Sequence, residues 1–152
     1  MEVSSYAEGR HPHVVIFDAE RLISGAKDSI LAEGWIDEHE VESDEGWQLT
    51  GEWEMLQAEA HPGWGPLLYD VTSSAFGVVL VPSPILTQNS RRFWHHQNQL
   101  GSQGRKVVPL SEAQFAVKYR VTLADLMKRF PIEALPKLWR ALRKGFRGRR
   151  VR

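Results

Sequence analysis

The chain has no cysteine among its 152 residues, which excludes disulfides, thiolate-bound zinc and thiol catalysis. No apolar run approaches the ~18 residues of a bilayer-spanning helix. The opening Met1-Glu2-Val3-Ser4-Ser5 lacks the basic flank and apolar stretch of a secretory leader, so a cytoplasmic location is expected. Net charge is absent as well, with 19 basic residues against 19 acidic ones. No internal repeat is visible. What is present is ordinary for one compact domain: 42% hydrophobic residues, 25% charged ones, six Trp and six Phe to fill a core.

The charges are balanced but unevenly placed. Residues 1–90 hold three basic residues (Arg10, Arg21, Lys27) against 16 acidic ones, and residues 91–152 hold 16 basic ones against Glu112, Asp125 and Glu133. Either the halves neutralise each other within one fold, or the basic end serves an anionic partner. Leu138, Trp139, Leu142 and Phe146 give residues 137–146 an apolar side amid Lys137, Arg140, Arg143, Lys144 and Arg147. Arg149 and Arg150 follow. A basic amphipathic helix of this kind suits nucleic acid or an acidic protein, or packs its apolar side on its own domain.

Residues 1–13 read as a flexible lead-in or a short edge strand, and Val14-Val15-Ile16-Phe17 as a buried strand. Asp18 is placed to cap a helix over 19–33, closed by Gly34. Six carboxylates in residues 37–45 read as a solvated loop, since His39 alone completes no metal set. Trp47-Gln48-Leu49 and Glu52 to Leu56 alternate as one bulged strand or a hairpin around Gly51. His61-Pro62-Gly63-Trp64-Gly65-Pro66 is a dense turn signal, with Pro66 in the first turn of a helix that Gly77 ends. Val78 to Val81 predicts another buried strand, and residues 87–99 a helix. Ala116 to Val121 reads as a strand, and Thr122 caps a helix through Asp125. Adjacent His95 and His96 point about 100° apart on a helix and do not share an ion, so no metal site is expected.

The stretch from Trp53 to Val81 reads as strand, glycine turn, helix and strand, a βαβ unit with a parallel pair. A glycine turn feeding a helix presents backbone N–H groups at the positive end of the helix dipole, where an anionic phosphate fits. The Lys-Ser/Thr ending of a nucleotide P-loop and the full dinucleotide fingerprint are both missing.

Gly51-Glu52-Trp53-Glu54, then Gly63-Trp64-Gly65-Pro66-Leu67-Leu68-Tyr69-Asp70-Val71, and later Arg91-Arg92-Phe93-Trp94, together resemble the acetyltransferase-like, GNAT-related proteins of tailed bacteriophages. The likeness spans residues 47–97. It implies a GNAT-like α/β domain over 14–121, a mixed sheet with flanking helices, and a basic helical extension over 122–152. It also implies acetyl-CoA or another acyl-CoA as donor, the pyrophosphate held by Gly63, Trp64, Gly65 and Leu67, and the pantetheine arm beside Met55 and Gln57. The implied bases are Glu54, Glu59 or His61, and the implied acid is Tyr69. The residues leave the amine acceptor open. The alternative is a non-enzymatic phage structural or interaction protein that keeps the scaffold and uses its basic end.

Overall fold

The computed structural model describes residues 2–8, 11–25, 29–83, 91–95 and 106–127. Strands β1 (Glu2–Glu8) and β2 (His11–Phe17) precede a short helix α1 (Ala19–Ser24). The long strands β3 (Ile30–Ser43) and β4 (Gly46–Ala60) follow, then helix α2 (Gly65–Phe76) and the two-residue strand β5 (Leu80–Val81). Residues 91–95 are helical (α3), and α4 (Glu112–Tyr119) and α5 (Leu123–Leu126) complete the described chain. All five strands lie in one sheet in chain order. The pairs from β1 to β4 are antiparallel, and β4 with β5 is parallel, as the crossover through α2 requires. The architecture is a mixed α/β sheet with helices.

Several expectations are corrected. The helix expected over 19–33 ends at Ser24, because Gly25 takes a left-handed φ of 76° and its N–H bonds the Arg21 and Leu22 carbonyls. Ile30 and Leu31 belong to β3 instead, where pairing with β2 outweighs the helical spacing. Four of the six carboxylates, Asp37 to Glu42, are not loop but the outer half of β3, paired with β4 out to Ser43 and Gly46, and Asp44 and Glu45 form the turn between the strands. The β2 ladder stops at Trp35, so among the described residues this half of β3 is an unpaired edge, where charge deters pairing with another chain. Residues 116–119, expected as strand, are helical. Ser111 and Gln114 form a reciprocal capping box that starts α4 ahead of them.

Other expectations are met. Asp18 caps α1 through the Arg21 N–H, Pro66 sits in the first turn of α2, Gly77 closes that helix, and Thr122 accepts from the Asp125 N–H. Residues 46–60 are one bulged strand rather than a hairpin, and residues 2–8 are an edge strand. The C-terminal helix expected over 137–146 lies outside the described residues.

The core lies between the sheet and α2. Leu67, Leu68, Tyr69 and Val71 pack on Val14, Ile16, Ala32, Ile36, Met55 and Ala58, joined by Trp94, Val107, Phe115 and Leu126. Met55 and Ala58 both reach this core although strict alternation would send one of them away. The reason is a bulge: β4 uses one residue more than β3 between the pairs Trp35–Leu56 and Glu33–Glu59. Gln57 absorbs it with a left-handed φ of 51°. Gly34 faces the same place, and a Cβ there would stand 2.6 Å from Met55 Sδ. Gly34→Ala should therefore cost about 1–3 kcal/mol of stability. In a double-mutant cycle by denaturant unfolding, much of that cost should vanish in a Met55→Ala background. Strict additivity would show that Met55 is not the obstacle.

Helix α4 is fastened to α2 by a charge. Asp70, buried on α2, accepts from Lys118 Nζ at 2.7 Å and from the Tyr119 hydroxyl. Burial first, then the hydrogen bond and the charge of Asp70, push the Tyr119 phenol far above its ordinary range. The unfolded chain loses that proton first, so the contribution is whole below about pH 10 and fades as pH rises past it. The denaturant midpoint should fall above about pH 10 in the wild type and fall less steeply in Tyr119→Phe. Identical slopes would remove Tyr119 as the cause.

Candidate functional site

The β4–β5 ladder has two rungs, Trp53–Leu80 and Glu54–Val81. On its other side, Leu80 exchanges both backbone hydrogen bonds with Val107 at 2.9 Å. Met55 and Leu56 therefore lie just past the last rung to β5, still paired to Ile36 and Trp35 of β3, and the bulged Gln57 follows. The hydrogen-bonded pairing of the two strands ends there.

The chain then turns through His61 to Trp64 into α2. The Trp64 N–H donates to the His61 carbonyl at 3.0 Å, so this amide is already engaged in the turn. Among the described residues the N–H groups of Gly63, Gly65 and Leu67 have no acceptor, and α2 has no side-chain cap. Gly63 has a φ of 88°, which glycine alone adopts at low cost. Among the described residues a Cβ at Gly63 or at Gly65 would meet nothing within 4 Å.

The candidate acid–base residues divide between two faces. Tyr69 is buried in the core against the rings of Phe93 and Trp94, with centroids at 3.9 and 5.4 Å. Trp53 and Met55 also face that core, so alternation sends Glu54 to the opposite face. There Glu54 Oε2 lies 2.9 Å from His39 Nδ1. Glu59 is half-buried and stands opposite Glu33, whose carboxylate lies 3.5 Å from buried His13. The His13 ring stacks on Trp35 with centroids 4.0 Å apart. His61 is half-buried at the start of the turn.

His39 is the residue that sequence reasoning passed over, because it sat inside an acidic run read as loop. A signal existed: Trp47 and Leu49 alternate after Ser43-Asp44-Glu45-Gly46, a turn that implies a partner strand before it. In a strand, Asp37 and His39 share a face. The second bulge, between Glu38 and Glu40, sets the ring beside Glu54.

No protein-family model matches this chain, nor does any curated protein or solved structure. Among the described residues no group of three His, Asp or Glu side chains could hold a metal ion, and no helix is long and apolar enough to cross a membrane. The basic residues Arg140, Arg143, Lys144, Arg147, Arg149 and Arg150 lie outside the described residues.

The approach to α2 gives a test of its own. Leu67 and Leu68 anchor its first turn in the core, while Trp64 is half-buried against the same cluster. Trp64→Ala should lower stability by about 2–3 kcal/mol through lost burial. Hydrogen exchange in the first turn of α2 should rise with it, and unchanged exchange there would show that Trp64 does not hold the turn.

Proposed function

We propose that the chain is an acyl-CoA-dependent N-acyltransferase with a GNAT-like fold, related to the acetyltransferase-like proteins of tailed bacteriophages, acting on an amine acceptor. The observation that carries this reading is the end of the β4–β5 pairing at Glu54, ahead of a glycine turn whose N–H groups meet no acceptor among the described residues. A pyrophosphate at Gly63, Gly65 and Leu67 would meet backbone donors and the positive end of a twelve-residue helix. From there a pantetheine arm would run along Met55 to Gln57, past the last β4–β5 rung. The thioester would then reach the level of Glu54, the last residue of β4 paired with β5.

The chemistry asked of the protein is modest. A neutral amine attacks the thioester carbonyl, a base takes its proton, and the C–S bond breaks. Orientation of the two reactants supplies much of the rate.

Gly65→Glu tests the cradle cleanly. Its Cβ meets nothing within 4 Å among the described residues, so the fold should survive, and a carboxylate in the first turn even favours the helix dipole. Calorimetry should show acetyl-CoA binding to the wild type and none to the variant, at unchanged thermal stability. Absence of heat from the wild type at millimolar acetyl-CoA would sink the proposal.

A further inference from the structure

The His39–Glu54 pair is built with more care than a surface contact needs. One shift of the β3–β4 register falls at His39 itself, and another lies between Glu33 and Trp35. The His39 backbone carbonyl accepts from Thr50 Oγ1 at 2.9 Å, and the same Thr50 oxygen accepts from the Glu52 N–H at 3.2 Å. The ring is thus held from behind by its main chain and from the side by Glu54. Both side chains are largely shielded, with 24% and 15% exposure. A carboxylate at this geometry accepts from Nδ1–H, which leaves the Nε2 lone pair to accept a proton. Among the described residues Nε2 has no hydrogen-bond partner. Asp37 stands directly across from Glu54 on β3.

We propose that His39 Nε2 is the base that takes the acceptor's proton, and that Glu54 is a positioning residue rather than the base. This rests on the acyltransfer reading. As the amine nitrogen bonds to the thioester carbon, its proton passes to Nε2. The C–S bond then breaks, coenzyme A leaves as thiolate and takes a proton from water, and the imidazolium returns its own to solvent. The products are an amide and a thiol. Glu54 stabilises the imidazolium while it exists.

The test needs no acceptor. In the full chain, nitrogen-15 NMR of the neutral histidine rings should show His39 as the Nδ1–H tautomer. Glu54→Leu should return it to the Nε2–H form that unconstrained imidazoles favour. Diethyl pyrocarbonate labelling, read by mass spectrometry, should modify His39. Acetyl-CoA at about ten times its Kd should slow that labelling about tenfold, and adenosine 3′,5′-bisphosphate, which lacks the acyl arm, should not. An Nε2–H tautomer in the wild type overturns the assignment of His39, and an Nδ1–H tautomer that persists in Glu54→Leu overturns the role of Glu54. Acetyl-CoA binding without protection of His39 overturns the base assignment and leaves the acyltransfer reading standing. No acetyl-CoA binding at all overturns that reading and this role together.

Discussion

The bulged pairing of β3 with β4 is the constraint on which the rest of the molecule depends. An extra residue at Gln57 costs left-handed backbone for a side chain that would otherwise avoid it, a local strain on the order of 1–2 kcal/mol. In return Met55 and Ala58 both face α2, which seats that helix on the sheet. Gly34 completes the arrangement, since only a residue without Cβ leaves Met55 its place.

The sheet has two chemically different faces. One is apolar and closed by α2, with Phe115 and Leu126 from the later helices. The other carries His13, Glu33, Trp35, Asp37, His39 and Glu54, with the fully buried Val15 and Phe17 following His13 along β2. Burial of the polar groups is tolerated because each imidazole lies beside a carboxylate and the ring of His13 also stacks on an indole. The glycine turn lies at the end of the same strand that carries Glu54, so one element sets both the amide donors before α2 and the partner of His39.

Much of this was legible in the residues. The turn at 61–66, the proline-led helix behind it and the strand on either side needed only local chemistry to recognise: glycine where φ is positive, proline where no N–H is needed, apolar spacing on one face. The caps at Asp18 and Thr122 were legible for the same reason. Misreadings arose where a local preference competed with a distant partner. Residues 30–33 have helical spacing, yet β2 captures them. Residues 116–119 are rich in strand formers, yet the Ser111–Gln114 box and the burial of Phe115 hold them in a helix. That box is a sequence signal, and it outranks β propensity because it fixes backbone donors directly.

Alone, the sequence determined the turns, the caps, the apolar strands and the order of the βαβ unit, because each depends on residues a few positions apart. Tertiary structure decided where the β4–β5 pairing ends, which carboxylate meets which imidazole, and that an acidic run is half of a hairpin. Those outcomes depend on register between residues such as His39 and Glu54, fifteen positions apart. Register is set by bulges and by the helix packed on the far face, and neither leaves a local mark that names its partner.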